Sequence, residues 1–218
     1  MIEAVLFDMD GLMVDTEKLS TEALIHCAKE QNYEMSVDET LQVLGFTEAG
    51  IYEFWINYFK DTKVDGKKLT EDHYKYIENV LFTTGPDKKL FVEELLIYLK
   101  EHNYKVGVAS SSGLHYIKNN LGKTGLEKYI DTIASGAEVE NGKPAPDVFL
   151  LAAKRLGVKP ENCLVLEDSK AGIKAAKSAR ATVYMVPDMF RPDKEVIEIT
   201  DNIVENLGEV IEILKKIN

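Results

Sequence analysis

The sequence predicts an α/β protein: a doubly wound parallel sheet, Rossmann-like in its pattern, with an all-α domain inserted after the first strand. A short apolar strand pattern opens the chain. Residues 15–82 then show only helical periodicity, and from residue 83 onward strand and helix patterns alternate. That alternation is typical of βαβ units around a parallel sheet. The predicted domains are therefore a Rossmann-like core, residues 1–14 and 83–218, and a helical domain, residues 15–82.

The first strand, IEAVLF, contains the β-branched and aromatic residues that are typical of a buried strand. Asp8 and Asp10 come directly after it, followed by Gly11. Residues at i and i+2 of a strand point to the same face, so two carboxylates lie together at its carboxyl end. Such carboxylates are costly unless a cation or hydrogen bonds compensate their charge. The alternative is a polar strand end that caps the next helix.

The inserted domain is predicted to be a small bundle of four helices. Helical patterns occur around Leu19–Cys27, Val37–Leu44 and Thr70–Val80. The clearest apolar stripe has the spacing i, i+3, i+4, i+7 and i+8, at Ile51, Phe54, Trp55, Tyr58 and Phe59. We interpret this stripe as bundle core rather than as a platform for a ligand.

The rest of the chain continues as predicted βα units. Helices are predicted at Leu90–Glu101, Leu114–Leu121 (ended by Gly122), Pro146–Leu156 (ended by Gly157), Lys170–Ala179 and Leu207–Ile217, and strands at Lys105–Ala109, Tyr129–Ala134, Cys163–Leu166 and Thr182–Val186. In open parallel sheets, ligands bind beyond the carboxyl ends of the strands, near the point where the strand order reverses. The residues that follow each strand are therefore the candidate site.

Composition and charge exclude several classes of partner. The net charge of −11 argues against sequence-independent binding to nucleic acid and to anionic membranes. No apolar run is long enough to span a bilayer, and the opening strand does not resemble a signal peptide. Cys27 and Cys163 lie far apart in apolar surroundings, which is typical of reduced thiols. We therefore expect a cytoplasmic protein that is a monomer, with a dimer as the alternative.

Two further strand ends carry groups suited to a phosphate. Ser110 and Ser111 follow the strand at Lys105–Ala109 and precede a helix, where hydroxyls and free N–H groups form an anion site. Lys143 lies in a loop that two prolines stiffen. Taken alone, each serine could be a helix cap and Lys143 a solvated surface charge.

A second acidic pair, Glu167 and Asp168, follows the strand at Cys163–Leu166. Together with Asp8 and Asp10, these residues give a cluster of carboxylates that suits Mg²⁺, which prefers oxygen ligands and phosphate. One aspartate then remains as a nucleophile, because aspartate can carry a phosphoryl group. The pattern predicts Mg²⁺-assisted phosphoryl transfer through an aspartyl-phosphate.

Four motifs in this order resemble those of the haloacid dehalogenase-like superfamily. They are DMDG at 8–11, Ser110 after a strand, GKPAPD at 142–147 and LEDSKAG at 166–172. The helical insert resembles the type 1 cap domain of that superfamily, in the subgroup of β-phosphoglucomutase and related phosphatases of small metabolites. The resemblance covers nearly the whole chain.

The resemblance implies a role for each matched residue. Asp8 would be the nucleophile and a Mg²⁺ ligand, and Asp10 the general acid and base, binding Mg²⁺ through its backbone carbonyl. Ser110, with Ser111, and Lys143 would hold the phosphoryl oxygens. Asp168 would ligate Mg²⁺, with Glu167 either a further ligand or a residue behind the ligands. The Asp15-Thr16 step would be the hinge of the cap.

Departures from the mutase pattern favour a hydrolase. The stretch at 43–48, which corresponds to a basic specificity loop in β-phosphoglucomutases, has no basic residue, and Leu19-Ser20-Thr21 stands where they carry a histidine. The insert holds 14 acidic and 7 basic side chains, which suits a second phosphate poorly. We therefore expect a phosphatase acting on a small phosphorylated metabolite, a sugar phosphate above all. The alternatives are a hexose-phosphate mutase and a non-catalytic phospho-acceptor module.

Overall fold

The structure is a computed structural model that describes residues 1–43, 48–189 and 191–217. The chain divides into two compact units, Met1–Asp15 with Asp87–Asn218 and Thr16–Pro86. We call the first the sheet unit and the second the helical unit. Within the described part of the chain, no helix combines the length and the apolar character that a membrane span requires.

The strands of the sheet unit are β1 (Ala4–Phe7), β2 (Lys105–Ser110), β3 (Thr132–Ser135), β4 (Cys163–Glu167), β5 (Thr182–Met185) and β6 (Asn202–Ile203). The helices of both units are α1 (Thr16–Glu30), α2 (Val37–Thr40), α3 (Glu48–Tyr58), α4 (Gly66–Thr83), α5 (Val92–Glu101), α6 (Leu114–Thr124), α7 (Asp147–Leu156), α8 (Lys170–Ser178), α9 (Lys194–Ile199) and α10 (Leu207–Ile217). Short 3₁₀ turns complete several of the connections.

All the strand pairs are parallel, in the order β3-β2-β1-β4-β5-β6. β1 is therefore central, and the order reverses on either side of it, which is the switch point of a doubly wound sheet. Val5 and Phe7 belong to the apolar cluster on one face of the sheet, and Ala4 and Leu6 to the cluster on the other. Burial on both faces explains the continuous apolar run of the first strand. The predicted fold class is confirmed.

Several details of the sheet unit differ from the sequence-based expectation; β3, for example, begins at Thr132 rather than at Tyr129. Gly122 does not end α6, which continues to Thr124 and is capped by Gly125 in the left-handed conformation. A glycine inside a helix costs only about 1 kcal/mol relative to alanine, so a helix can pass through it. α9 and β6 were not expected, because segments of six and two residues are too short to show a period.

The core of the helical unit contains most of the predicted apolar stripe. Trp55 and Phe59 are 0% and 2% exposed, and Ile51 and Phe54 pack partly buried against the same cluster. Tyr58 is the exception: it is 39% exposed, and its hydroxyl donates to Glu39. The interpretation as core is confirmed for the other four residues. Of the predicted second helix, Leu44 lies outside the described residues.

A buried histidine makes the stability of the helical unit depend on pH. His73 is 2% exposed, and its Nε2 lies 3.0 Å from Ser20 Oγ. Burial lowers the pKa of His73 from 6.5 to about 4. As the pH falls, His73 is therefore protonated in the unfolded chain before it is protonated in the folded chain, and the free energy of unfolding decreases as the pH drops below 6.5. We expect His73 alone to cost this unit about 2 kcal/mol of unfolding free energy between pH 7 and pH 5.

Denaturant unfolding at pH 7 and at pH 5, monitored by the fluorescence of Trp55, the single tryptophan, measures this difference in unfolding free energy. The variant His73→Gln should have a flatter dependence on pH between 7 and 5. His26→Gln is the matched control, since the His26 side chain is 50% exposed on the same unit. Equal pH dependence in wild type and His73→Gln would contradict the expectation.

Arg180 adopts a strained backbone conformation in the turn after α8. Its φ is +64°, and its side chain is 82% exposed, 4.0 Å from Glu161. A residue with a Cβ is destabilised by about 1–2 kcal/mol in the left-handed region. Glycine avoids this strain, but its greater conformational entropy in the unfolded chain cancels part of the gain. We expect Arg180→Gly to raise the unfolding free energy of the sheet unit by about 0.5–1 kcal/mol. Calorimetry tests this, with Arg180→Ala as the control that keeps the strain and should give no gain.

Candidate active site

The parallel register brings three of the predicted strand ends to one edge of the sheet. β1 pairs with β2 on one side and with β4 on the other, and Phe7 lies in register with Val108 and Leu166. The polar residues at the carboxyl ends of these three strands therefore project from neighbouring positions. Asp8 is 8% exposed, Ser110 is 1% exposed and Glu167 is 0% exposed. The site is consequently a largely buried polar cluster above the switch point.

Lys143 joins two of these carboxylates. Its Nζ lies 2.5 Å from Asp8 Oδ1 and 2.6 Å from Glu167 Oε1. The Lys143 side chain is only 5% exposed, and its Nζ lies 4.8 Å from the centre of the Phe149 ring. Lys143 is thus a buried cation with two carboxylate partners, and the alternative of a solvated surface charge is wrong.

Burial and the neighbouring charges shift the pKa values of the groups in this cluster. Burial raises the pKa of Asp8 to about 7, against the opposing effect of the Lys143 charge. Burial on its own would lower the pKa of Lys143, but Asp8 and Glu167 outweigh it and leave that pKa raised. Burial, together with Glu167 and Asp8, also raises the pKa of Asp168 well above its usual range. The site therefore contains more buried negative charge than one lysine compensates.

Glu167 is fixed from behind by the start of α8. Its Oε2 accepts hydrogen bonds from the Ser169 backbone N–H at 2.8 Å and from the Ser169 hydroxyl at 2.9 Å. Ser169 also caps α8 by accepting from Gly172 N. Gly172 lies so close that a Cβ there would stand 1.6 Å from Glu167 Oε1. Glu167 is therefore held in place on several sides while its Oε1 accepts from Lys143.

Asp10 is held by the segment after β2. Ser112 Oγ donates to Asp10 Oδ2 at 2.8 Å, and Ser110 Oγ lies 3.5 Å from the same oxygen. The Tyr116 hydroxyl lies 3.5 Å from Asp10 Oδ1. Ser110 Oγ also accepts from the Ser112 backbone N–H at 3.1 Å, whereas Ser111 is exposed beside them.

Ser112 and Tyr116 were not among the predicted site residues. Ser112 stands directly before the glycine that precedes α6, and Tyr116 lies four residues later in its first turn. Ser112 continues the run of serines that begins at Ser110, and this run is the signal that could have found it, whereas no sequence period points to Tyr116.

Asp168 approaches the turn that follows the first aspartates. Gly11 has a φ of +77°, and a Cβ there would stand 2.3 Å from Asp168 Oδ2. Only glycine permits both this backbone conformation and this approach. The turn that carries Asp8 and Asp10 and the end of β4 are thereby brought together.

The sequence profile of the haloacid dehalogenase-like hydrolases matches residues 5–186. The chain belongs to this family. The match spans β1 to the residue after β5, and it includes every predicted site residue.

Several relatives that match most of the chain are phosphatases. A phosphorylated carbohydrates phosphatase of Thermotoga maritima is 32% identical over 219 residues, which cover 99% of this chain and 100% of that protein. Hexitol phosphatase B of Escherichia coli strain K12 is 31% identical over 85% of this chain and 84% of that protein. A crystal structure of β-phosphoglucomutase from Clostridium difficile has a TM-score of 0.69 at 27% identity, covering 99% of this chain and 96% of that one. We assign the chain as a phosphatase of the haloacid dehalogenase-like family.

The residues present fit the divalent cation that members of this family generally use. Among the described residues, no three His, Cys, Asp or Glu side chains are grouped so as to hold a metal ion by themselves. Asp8, which is buried, and Asp168, which is half-buried, nevertheless offer two carboxylates with raised pKa values. Mg²⁺ is usually bound by one or two carboxylates, with water and phosphate oxygens completing its octahedron. Such a cation would supply the positive charge that the cluster lacks and would lower both pKa values.

Proposed function

We propose that this chain is a Mg²⁺-dependent phosphatase that hydrolyses a small phosphorylated metabolite through an aspartyl-phosphate on Asp8. The observation that carries the proposal is the bridge from Lys143 to Asp8 and Glu167. A buried lysine against a strand-end aspartate creates a site for both a nucleophilic carboxylate and the phosphoryl group that it attacks.

The proposed reaction has two steps. In the first, an Asp8 oxygen attacks phosphorus, the bond to the leaving oxygen breaks, and Asp10 gives that oxygen a proton. In the second, Asp10 takes a proton from water, and the water oxygen attacks phosphorus and releases inorganic phosphate and the Asp8 carboxylate. Lys143 and Ser110 hold phosphoryl oxygens throughout, with Ser111 N–H and hydroxyl groups beside them.

The proposed cation ligands are the carboxylates of Asp8 and Asp168 and the backbone carbonyl of Asp10. Bound there, Mg²⁺ would neutralise charge on the phosphoryl oxygens. Glu167 already accepts from Lys143 and from Ser169, which favours a role behind the ligands rather than among them. Its carboxylate orients the lysine.

A sugar or polyol phosphate is the proposed substrate class. The phosphorylated carbohydrates phosphatase and the hexitol phosphatase among the relatives support it. The 14 acidic and 7 basic side chains of residues 15–82 disfavour a substrate with a second phosphate. We also propose that the protein is cytoplasmic and that it acts as a monomer. Light scattering of the purified chain tests the oligomeric state.

The test is a phosphate-release assay over sugar phosphates, polyol phosphates and nucleotides, with Mg²⁺ and with a chelator. We expect turnover of at least one sugar or polyol phosphate, and we expect the chelator to abolish it. No turnover of any compound in the presence of Mg²⁺ would overturn the proposal.

A mutase is the second candidate, because a β-phosphoglucomutase shares the fold along nearly the whole chain. With β-glucose 1-phosphate, a mutase forms glucose 6-phosphate faster than it releases phosphate. We expect the opposite ratio, because the stretch at 43–48 lacks a basic residue that could bind a second phosphate. Faster formation of glucose 6-phosphate would replace the phosphatase proposal with the mutase.

A further inference from the structure

Asp188 lies beside the candidate cation site and belongs to none of the four motifs. It follows β5, the strand next to β4, and so stands at the same edge of the sheet as Asp168. Its Oδ1 accepts from Lys89 Nζ at 2.7 Å, and the same ammonium lies 3.5 Å from Asp15 Oδ1. The side chains of Asp188 and Lys89 are 17% and 22% exposed. This is a partly buried ion pair within the sheet unit.

The second oxygen of Asp188 is left without a partner. Its Oδ2 is buried and accepts no hydrogen bond from the described residues. A buried carboxylate oxygen without a donor is costly, and buried polar atoms are nearly always paired. The ion pair with Lys89 uses only Oδ1, so it does not explain why Oδ2 is kept away from solvent.

The unpartnered oxygen faces the space next to Asp168. A Cβ on Gly11 would stand 2.3 Å from Asp168 Oδ2 and 3.7 Å from Asp188 Oδ2. The two carboxylates therefore approach one small volume from β4 and β5, and glycine keeps that volume open. Oxygens so placed can share a hydrated cation, one as a ligand and the other through a bound water.

We propose that Asp188 is a positioning residue that accepts a hydrogen bond from water on the divalent cation held by Asp8 and Asp168. Lys89 holds Oδ1, which leaves Oδ2 as the oxygen that accepts from the cation water. Water on a divalent cation is a stronger donor than bulk water and matches a buried anionic acceptor. This inference rests on the proposed function, because it needs a cation at the family site.

The experiment is equilibrium binding of Mn²⁺ and Mg²⁺ to the substrate-free protein, followed by electron paramagnetic resonance and by calorimetry. We expect Asp188→Asn to raise the dissociation constant about 10–100-fold, the usual effect of losing a residue that orients a metal ligand. Asp15→Asn is the matched control: it removes one negative charge from the same Lys89 and should change the constant less than about threefold, the effect of a partly screened charge.

Two further variants separate cation positioning from the ion pair. Lys89→Met removes the pair but keeps the Asp188 carboxylate, and the double variant Lys89→Met/Asp188→Asn removes both charges and leaves no stranded lysine. We expect weak cation binding in the double variant and in Asp188→Asn, with Lys89→Met closer to wild type. If Asp188→Asn does not fold, the double variant against Lys89→Met gives the same comparison.

Equal dissociation constants for Asp188→Asn and Asp15→Asn would overturn the inference, since the effect would then be one of distant charge. Equal weakening by Asp188→Asn and Lys89→Met would also overturn it, since the ion pair alone would matter. If wild type binds neither cation and releases no phosphate, the proposed function fails as well. If wild type binds and turns over while Asp188→Asn binds equally tightly, only the role of Asp188 fails.

Discussion

Replacing Asp8 by asparagine is expected to abolish phosphate release, with a loss in kcat of at least about 10⁴-fold. The amide keeps the shape of the carboxylate but is a poor nucleophile, so no acyl phosphate forms. The same change removes the charge that faces Lys143 at 2.5 Å, and the lysine then keeps Glu167 as its remaining carboxylate partner. The assay is phosphate release under saturating Mg²⁺ with whichever substrate the panel identifies.

Circular dichroism shows whether the loss of activity comes from the reaction step or from unfolding of the variant. Circular dichroism should show an unchanged fold, because asparagine occupies the same volume and Lys143 keeps its contact with Glu167. Asp131→Asn is a control far from the chemistry: Asp131 is 38% exposed and pairs with Lys100 on the surface. Activity of Asp8→Asn within tenfold of wild type would contradict the assignment of Asp8 as nucleophile.

A methyl group at Gly172 is expected to lower kcat/KM by at least about 100-fold, equivalent to about 2.7 kcal/mol of transition-state stabilisation. The added Cβ would stand 1.6 Å from Glu167 Oε1, so the Glu167 carboxylate has to move. It cannot move freely, because Glu167 is fully buried and accepts two hydrogen bonds from Ser169. The displacement therefore shifts Lys143 away from the phosphoryl position, and steady-state kinetics of Gly172→Ala measure the loss.

The chain offers a matched control for this glycine. Gly122 also lies inside a helix, and a Cβ there would meet only Glu127 Oε2, at 3.8 Å, which is ordinary contact. Gly122→Ala should leave kcat/KM unchanged and stabilise the protein by about 1 kcal/mol, since alanine is the better helix former. If Gly172→Ala and Gly122→Ala behave alike in activity, Glu167 does not position Lys143.

Much of the site could be predicted from the apolar strand patterns in the sequence and from the rule that parallel strands end at the same edge of a sheet. The apolar run before Asp8, and the polar residues after two later strands, place Asp8, Ser110 and Glu167 at one edge once the sheet is parallel. The strand order puts these three strands side by side with β1 in the centre. Lys143 comes from a loop, and its burial between two carboxylates depends on the fold rather than on its own neighbours in sequence.

The residues that sequence reasoning missed depend on geometry that no period encodes. Ser112 and Tyr116 reach Asp10 only because the segment after β2 that begins α6 lies against the turn after β1. Asp188 reaches the site from β5, three residues beyond the strand, where a loop and not a period sets its direction. Tyr58 leaves the apolar core because its hydroxyl has Glu39 as a partner at 2.8 Å. Each is a side chain placed by an interaction between distant segments.

The most direct test of the mechanism is a pre-steady-state reaction of the Asp10→Asn variant with an excess of p-nitrophenyl phosphate and with Mg²⁺. This leaving group departs as a stable anion without a proton, so the first step survives, while hydrolysis of the acyl phosphate loses its base. We predict a burst of one p-nitrophenolate per active site and a phosphoryl group on the peptide that contains Asp8, which borohydride converts to homoserine at position 8. Steady release without a burst, or a label on any other residue, would contradict catalysis through an aspartyl-phosphate on Asp8.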